Sequence, residues 1–248
     1  MVARGVYLGS VDVPLGARCT VLGPSGAGKS TLLSLLASAE PPSSGQVFLP
    51  QGRVAYAPQE HALVDTLTVG ENVAAVARLS GTDRLDLGLV GLADMDNRHV
   101  GELSRGERAR LGVLLAVQRS PDVLLADEPT ADLDPATAAD IWRFLDDQSH
   151  SHPHRTTVIV THDHASAAAW ADYVVRWSGG GFVGQGDFNR EGQNQPRPVT
   201  DEAPWAAAWR MALREWWPAG GDSTTWAARL RPAVLFAVSV CAHALLLG

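Results

Sequence analysis

The chain of 248 residues has only two cysteines, Cys19 and Cys241, which stand far apart in apolar surroundings. Disulfide-stapled domains and structural zinc sites need several cysteines at short spacings. Neither class of protein is favoured, and we expect a protein of a reducing cytoplasm. The sequence also lacks a basic, then apolar, then small-residue signal before its first strand. We therefore expect that the amino end is not exported.

A surplus of basic residues is also lacking. Lys and Arg together number 20 against 27 Asp and Glu, which gives a formal net charge of −7. Proteins that bind nucleic acids present a basic face to the phosphate backbone, so we expect no nucleic-acid partner. Apolar residues, in contrast, make up 46% of the chain. That share is enough for the buried core of one substantial domain with an appendage.

A glycine-rich segment stands between two apolar runs. Residues 22–31 read LGPSGAGKST and match the pattern G-x-x-x-x-G-K-S. The run Cys19–Leu22 before it predicts a strand, and leucines at helical spacing after it predict a helix. In that setting backbone N–H groups face phosphates, Lys29 reaches the β- and γ-phosphates, and the Ser30 hydroxyl binds Mg²⁺. The segment predicts a nucleoside-triphosphate site that contains Gly23, Ser25, Gly26, Gly28, Lys29, Ser30 and Thr31.

Two adjacent carboxylates follow another apolar run. Val123–Ala126 predicts a central strand buried on both faces, and Asp127 and Glu128 come directly after it. Open α/β sheets bind ligands at the carboxyl ends of their strands. In phosphate-loop ATPases such an aspartate holds Mg²⁺, and a neighbouring glutamate can polarise the attacking water. We expect these two roles here, with a solvated charge at a strand end as the alternative for Glu128.

Two more polar side chains follow strand patterns. Gln59 comes after residues 53–58, a short strand pattern stopped by proline. His162 comes after the β-branched run Val158–Val160. A histidine at a strand end is more often an ordinary polar residue, so this position alone assigns it no role. No cysteine or acidic partner is spaced for a metal site around the other histidines of this half, which look like solvated loop residues: His150, His152, His154 and His164.

Together these motifs resemble the ATP-binding cassette (ABC) family of ATPases, over roughly residues 5–188. Besides the phosphate loop and Gln59, the resemblance includes LSRGE at 103–107, VLLADE at 123–128, ADLD at 131–134 and VIVTH at 158–162. It implies an α/β phosphate-loop core with a mostly parallel sheet, a small antiparallel β region and a helical insert at about 68–119. It also implies ATP and Mg²⁺ as cofactors. The implied metal-site residues are Ser30, Gln59 and Asp127, and the implied catalytic residues are Glu128, His162 and Gln59.

The LSRGE segment is the part of the resemblance that implies a dimer. Ser104 and Glu107 have the S-x-x-E spacing of a capping box, which predicts a helix through about Arg119 and nothing more. In the family, the positions of Ser104 and Gly106 contact the γ-phosphate bound by the other subunit, so the resemblance implies ATP held between two cassettes. The chain departs from the family's LSGGQ at two positions. Glutamate serves the cap as well as glutamine does, and Arg105 adds a positive charge near the incoming phosphate.

The amino-terminal segment before the phosphate loop is shorter than is usual in the family. Residues 6–13 correspond only to the strand just before the loop, whereas ABC cassettes usually begin with another strand and an aromatic residue that stacks on adenine. Tyr7 is the sole nearby aromatic residue and stands too close to the loop for that role. Either adenine is held without stacking, or the true start of the chain lies upstream.

The composition changes after residue 188. Residues 189–204 are rich in Gln, Asn, Pro and charge, which is typical of a linker. Five of the eight tryptophans then fall in the last 44 residues. Residues 205–228 predict an interfacial amphipathic helix, with a helix packed on the cassette as the alternative. The apolar residues 229–248 predict a membrane helix cut near its far end, or a short tail helix that anchors the cassette to a partner.

The resemblance implies an ATP-hydrolysing subunit that energises transport, at the cytoplasmic face of the cell membrane. The implied partners are a second cassette and a transmembrane permease domain, with the membrane itself nearby. LADEPT at 125–130 and the stretch 59–72 look most like the branch for lipoprotein release and macrolide export. One alternative is a soluble ABC ATPase of ribosomes or chromosomes, against which the single cassette and the lack of heptads count. Another is a regulatory subunit with little hydrolysis, suggested by Arg105.

Overall fold

A computed structural model describes residues 2–3, 6–59, 63–179, 181–185 and 197–198. Its strands are β1 (Val2–Ala3), β2 (Val6–Tyr7), β3 (Arg18–Leu22), β4 (Phe48–Leu49), β5 (Val54–Ala57), β6 (Val123–Asp127), β7 (Thr156–Val160), β8 (Tyr173–Trp177), β9 (Phe182–Gln185) and β10 (Arg197–Pro198). Its α-helices are α1 (Lys29–Leu36), α2 (Val69–Ser80), α3 (Arg105–Gln118), α4 (Pro135–Ser151) and α5 (His164–Trp170). Short 3₁₀ turns cover Leu87–Val90, Ala93–Met95 and Val100–Glu102.

The main sheet has six strands in the order β5-β6-β7-β3-β8-β9. The first five run parallel, and β9 pairs antiparallel with β8. Two short antiparallel pairs, β1–β2 and β4–β10, stand apart from it. The predicted α/β fold with a mostly parallel sheet and a small antiparallel part is confirmed. Because parallel strands end at one edge, the segments that follow β3, β5, β6 and β7 meet there.

The central strand β6 packs against helices on both faces. All five of its residues are buried, and successive side chains point to opposite faces. Val123 and Leu125 belong to the apolar core that contains α1. Leu124 and Ala126 belong to the core that contains α3 and α4. Consequently α1, which follows the glycine-rich loop, and α3, which begins at the LSRGE segment, lie on opposite faces of the sheet.

Residues 68–119, over which a helical insert is expected, begin near α2 and end near the carboxyl end of α3. The Thr68 hydroxyl caps α2 by accepting a hydrogen bond from the Glu71 N–H, and the Glu71 carboxylate accepts one from the Thr68 N–H. Residues 81–104, however, contain turns and 3₁₀ segments instead of a continuous helix. Gly81 and Gly91 each have φ of 66°, a left-handed conformation that commonly ends helical segments. The insert is therefore two α-helices joined by a long, glycine-punctuated connection.

The segment that follows β5 is bonded to both helices of the insert. The fully buried Asn72 of α2 donates to the carbonyls of Val64 (3.2 Å) and Thr68 (2.9 Å), and its Oδ1 accepts from the Val64 N–H (3.0 Å). Arg108 of α3 donates to Asp65 Oδ1 at 2.7 Å. Val64 and Asp65 are therefore joined by side-chain hydrogen bonds to α2 and α3, respectively.

We expect Asn72→Ala to lower the free energy of unfolding by about 2 kcal/mol, because the buried Val64 N–H would lose its partner and the Val64 carbonyl would keep only the Leu67 N–H. Urea denaturation of the nucleotide-free chain measures the change. Arg143→Ala is the control. Its ion pair with Asp140 is exposed, and such pairs contribute about 0–1 kcal/mol. A loss for Asn72→Ala no larger than that of the control would contradict the prediction.

The prediction of a strand over residues 6–13 is wrong for most of its length. Only Val6–Tyr7 forms a strand, paired antiparallel with β1, and the strand that leads into the loop is β3. Gly9 and Gly16 adopt left-handed conformations with φ of 76° and 77°. Pro14 has no N–H to offer a ladder. These residues interrupt the apolar run, and residues 8–17 form no strand.

The carboxyl-terminal predictions lie almost entirely outside the described residues. This holds for the Trp-rich segment 205–228, for the apolar segment 229–248 and for most of the linker 189–204. Within the linker, Arg197–Pro198 forms β10 and pairs with β4. In the described ranges, no helix combines the length and the apolar character needed to span a bilayer.

Candidate functional site

The glycine-rich loop turns sharply between β3 and α1. Gly26 and Gly28 have φ of 79° and 86°, values that glycine adopts without steric cost. A Cβ at Gly26 would meet nothing within 4 Å, so the backbone conformation and not crowding requires glycine there. Gly28 is the residue just before α1. The free N–H groups of the first helical turn therefore stand at the loop, in the arrangement that binds phosphate.

Lys29 places a buried positive charge in this loop. It is the single lysine of the chain, and only 7% of it is exposed. Its Nζ donates to the carbonyls of Gly23 (2.8 Å) and Pro24 (3.1 Å). The ammonium group is thus folded onto the loop by the loop's own backbone, where it adds its charge to that of the helix N-terminus.

Asp127, at the end of β6, carries a buried and incompletely satisfied carboxylate. It is 3% exposed, and among the described residues its Oδ1 has no hydrogen-bond partner. Burial raises the pKa of Asp127, and a hydrogen bond with Ser30 and the charge of Lys29 oppose that rise. Tyr56 donates a long hydrogen bond of 3.5 Å to Oδ2. A carboxylate oxygen without a partner, beside a hydroxyl, fits the oxygen ligands that Mg²⁺ prefers.

Glu128 is turned toward His162. It has φ of 51°, a left-handed conformation that is uncommon for residues with a side chain and is found at functional sites. Its Oε1 lies 2.9 Å from His162 Nε2, and its Oε2 accepts from the His162 backbone N–H at 3.3 Å. Burial raises the pKa of Glu128, and the charge and backbone N–H of His162 lower it. Two contacts with His162 thus hold the Glu128 carboxylate in one orientation, an arrangement in which a carboxylate can act as a base.

Gln59 follows β5 by two residues and is exposed. It therefore lies at the same edge of the sheet as the two carboxylates and His162, because β5 runs parallel to β6. The three residues that follow it, 60–62, lie outside the described ranges.

Ser104 and Glu107 form the predicted capping box at the start of α3. Ser104 Oγ accepts from the Glu107 N–H at 3.3 Å, and Glu107 Oε2 accepts from the Ser104 N–H at 2.7 Å. A Cβ on Gly106 would come within 2.9 Å of Leu133 Cδ2, so the helix start packs closely on the segment after β6. In the described part of the chain, no hydrogen bond joins this helix start to the glycine-rich loop.

We expect Ser104→Ala to lower the free energy of unfolding by about 1 kcal/mol, because the alanine variant loses the cap. Ser104→Asp should stay within about 0.5 kcal/mol of the parent, since aspartate caps a helix as well as serine does. Chemical denaturation of both variants, without nucleotide, measures the difference. Equal losses in the two variants would show that the cap is not what Ser104 contributes to stability.

The other histidines lie at helix ends, which corrects part of the loop prediction. Helix α4 continues to Ser151, so His150 is in its last turn and His152 is its C-cap. His164 is the first residue of α5. Pro153 ends α4 later than expected, because nothing before it interrupts the helix. The side chains of these three histidines and of His154 are exposed. The described ranges contain no group of three or more His, Cys, Asp or Glu suited to a metal ion.

Two contacts at the site involve residues that the sequence did not single out. The first is Tyr56, half-buried on β5, which reaches Asp127. The second is Leu133, which touches the Gly106 position and packs on the core around α3. Both contacts depend on strand pairing and on the packing of distant segments. The only feature of the sequence that points to the Tyr56 contact is its position three residues before Gln59.

Comparison with known proteins gives consistent results. The family profile described as ABC transporter matches residues 9–131. The phosphonates import ATP-binding protein PhnC 2 of Synechococcus sp. is 32% identical over 240 residues, which cover 84% of this chain and 87% of that protein. The methionine import ATP-binding protein MetN 1 of Rhodopseudomonas palustris is 34% identical over 200 residues, 71% of this chain. The match covers 53% of MetN 1, so the chain spans about half the length of that relative.

Among solved structures, one similar chain is an ATP-binding cassette in a dimeric post-hydrolysis state bound to ADP and Pi. The TM-score is 0.62 at 24% sequence identity, over 73% of this chain and 91% of that one. At this identity the likeness supports the fold alone. The sequence match to PhnC 2 extends along most of both proteins, and the phosphate loop, the buried Asp127 and the Glu128–His162 pair stand at one edge of a parallel sheet. The chain therefore belongs to the ABC transporter family.

Proposed function

We propose that the chain is the ATP-binding and ATP-hydrolysing subunit of a transporter, that it works as a dimer of cassettes and that it energises movement of a substrate across a membrane. One observation carries the hydrolytic part of this proposal. A glutamate base is held 2.9 Å from a histidine, next to a buried aspartate and a phosphate-binding loop. A protein that only bound nucleotide would not need the strained conformation of Glu128 or its contact with His162.

In this proposal the loop holds the triphosphate. Backbone N–H groups from Gly23 to Thr31 face the phosphates, with Ser25 and the two left-handed glycines shaping the turn. Lys29 exchanges one or both of its carbonyl partners for phosphate oxygens. Ser30, Asp127 and Gln59 hold Mg²⁺, which when bound neutralises charge on the β- and γ-phosphates. The unpaired Asp127 Oδ1 supports this assignment.

Glu128 then positions the attacking water and accepts its proton. Its pKa is raised by burial, which makes it a stronger base than an exposed glutamate. His162 keeps the carboxylate oriented through Nε2 and its backbone N–H. Because the His162 side chain is 55% exposed, its ring is free to reach the γ-phosphate when nucleotide is bound.

A second chain completes the site in this proposal. Ser104 and Gly106 lie at the start of α3, which packs on the face of the sheet opposite to α1. The free N–H groups of that helix start, and the charge of the exposed Arg105, are suited to a phosphate held by another subunit. The similar cassette described above is dimeric, and we propose the same arrangement here.

The partners follow from the relatives. PhnC 2 and MetN 1 are named as import ATP-binding proteins, so we propose a transmembrane permease partner and a location at the cytoplasmic face of the cell membrane. Contact of residues 205–248 with the membrane stays a prediction. The narrower assignment to lipoprotein release or macrolide export depends on sequence similarity at residues 59–72 and 125–130. The two import relatives give it no support.

ATP turnover measured against chain concentration tests the function. If the site forms between two chains, the rate per chain should rise with concentration and then reach a plateau. Chelation of Mg²⁺ with EDTA is the control and should abolish the activity. A rate per chain that is independent of concentration would contradict the dimer. Bound ATP with no turnover at any concentration would favour the regulatory alternative instead.

A further inference from the structure

A cavity lies away from the phosphate loop, on the face of the sheet that carries α1. Its volume is about 850 Å³, and residues 8–15 and 45–50 form its two walls. Apart from Thr156, its floor is apolar and consists of side chains from β3, β6, β7 and β8 together with α1: Val21, Val123, Leu125, Val158, Val175, Leu32 and Leu36. No residue of the phosphate loop, and neither Glu128 nor His162, lines it. The cavity is thus a separate feature of the fold.

The rim of this cavity is apolar and open. Val11, Val13 and Leu49 are only partly buried, and Phe48 is 51% exposed. The floor, in contrast, continues into the core around α1. Open apolar surface that is continuous with a core is generally covered by another element or a partner. Asp12 is the acidic residue on the wall.

The chain itself returns to this rim. Arg197 and Pro198 form β10, which pairs antiparallel with Leu49 and Phe48 of β4. Both β4 residues line the cavity. The first tryptophan after β10 is Trp205, seven residues further along. An extended chain spans about 3.3–3.6 Å per residue, so Trp205 lies within about 25 Å of the rim.

The segment that starts there has the chemistry to fill an apolar cavity. Its large apolar residues recur at helical spacing: Trp205, Trp209, Leu213, Trp216 and Trp217. Arg210 and Arg214 fall elsewhere on the same pattern and have the charge opposite to that of Asp12. Each tryptophan buries roughly 150–250 Å² when it packs, so insertion of even two would cover much of the rim.

We propose that residues 205–217 pack their tryptophan face into the cavity between residues 8–15 and 45–50 of the same chain. The tail then covers the face of the sheet that carries α1, and β10 acts as its tether. This docking is independent of ATP turnover. It excludes insertion of the same tryptophans into a membrane, because the tryptophan face cannot fill the cavity and enter a bilayer at the same time.

Photocrosslinking from the rim tests the proposal on the full chain. Phe48→p-benzoylphenylalanine places a photoreactive ring at the cavity mouth. Val183→p-benzoylphenylalanine is the matched control, since Val183 is 55% exposed and does not line the cavity. Irradiation is done in buffer and with phosphatidylethanolamine–phosphatidylglycerol vesicles, and adducts are mapped by mass spectrometry. The expected result is an intrachain link from position 48 to residues 205–217 in both conditions, without that link from position 183.

Other adducts would overturn the proposal. A link from position 48 to another copy of the chain would make the cavity a dimer contact, and a lipid adduct would make it a membrane contact. Absence of any link to 205–217 would also reject it. A second measurement covers the case in which the probe disturbs the rim. Hydrogen exchange of residues 8–15 and 45–50 should become at least about 10-fold faster when Trp205, Trp209, Trp216 and Trp217 are changed to serine.

The exchange measurement has two internal controls. Trp226→Ser changes a tryptophan of the same tail outside the 205–217 pattern and should leave the exchange of the cavity walls unaltered. Residues 105–127, on the opposite face of the sheet and in its centre, should exchange at the parent rate in every variant. Unchanged exchange at the walls in the fourfold variant would overturn the proposal.

Discussion

Replacing Glu128 with glutamine is expected to lower ATP turnover by at least about 10²–10³-fold, because an amide cannot accept the proton of the attacking water. Glutamine has nearly the same size and can still accept a hydrogen bond from the His162 N–H. The nucleotide itself contacts other parts of the site, so ATP affinity should change by less than about 3-fold, or 0.7 kcal/mol. The effect is therefore on the catalytic step and not on binding.

Single-turnover hydrolysis together with equilibrium binding of ATP separates these two quantities. Glu102→Gln is a suitable control, because Glu102 is an exposed glutamate of the insert that makes no contact with Asp127 or His162 in the structure. Its turnover should match that of the parent chain. If Glu128→Gln hydrolysed ATP at the parent rate, the assignment of Glu128 as the base would be wrong.

Lys29→Ala is expected to lower ATP affinity by about 100-fold. Charge-assisted hydrogen bonds contribute about 1.5–3 kcal/mol, and 2.7 kcal/mol corresponds to that factor. Lys29→Arg should recover little of the loss, because the planar guanidinium does not fit a loop shaped around a single ammonium group. The carbonyls of Gly23 and Pro24, which Lys29 contacts at 2.8 and 3.1 Å, lie in an open loop, so water can replace the amine in the empty variant.

The sequence provides an independent readout for this residue. Because Lys29 is the single lysine, an amine-acylating reagent can modify only Lys29 and the terminal amine. MgATP should protect Lys29 and leave the terminal amine reactive, which serves as the control within each sample. Binding of ATP to Lys29→Ala at parent affinity, or acylation of Lys29 that MgATP does not slow, would contradict a phosphate-binding role.

Much of the fold could be predicted because it depends on local pattern. The apolar run of β6, the glycines before α1 and the S-x-x-E spacing at α3 each contain their own structural signal. The left-handed conformation of Glu128 could not be predicted in this way, because it is fixed by contacts with His162 and Val160, more than 30 residues away. The absence of a strand over residues 8–17 was also missed. The apolar residues of this segment suit a strand, but its glycines and Pro14 interrupt one.

The sequence names the candidate site residues one by one, but it does not give their arrangement in space. Sequence spacing brought Asp127 next to Glu128, but only strand order brings β5 beside β6 and places Tyr56 against Asp127. Likewise, the close packing of Leu133 on the Gly106 position joins segments that are 27 residues apart. Such contacts arise from tertiary packing, which local periodicity does not contain.

The central claim is that each ATP is held by the phosphate loop of one chain and the Ser104 helix of another. Mixing two inactive variants tests it most directly. Glu128→Gln lacks the base, and Ser104→Asp keeps the cap but places a carboxylate near the partner's phosphate. In a mixed dimer, one site combines the intact loop side of the Ser104→Asp chain with the intact helix start of the Glu128→Gln chain. The other site carries both defects.

An equimolar mixture is expected to recover about a quarter of the parent turnover, because half of the randomly formed dimers then have one intact site of two. Each variant alone, at the same total concentration, should stay near the background rate. A mixture that is no more active than the two variants measured separately would contradict a site shared between chains.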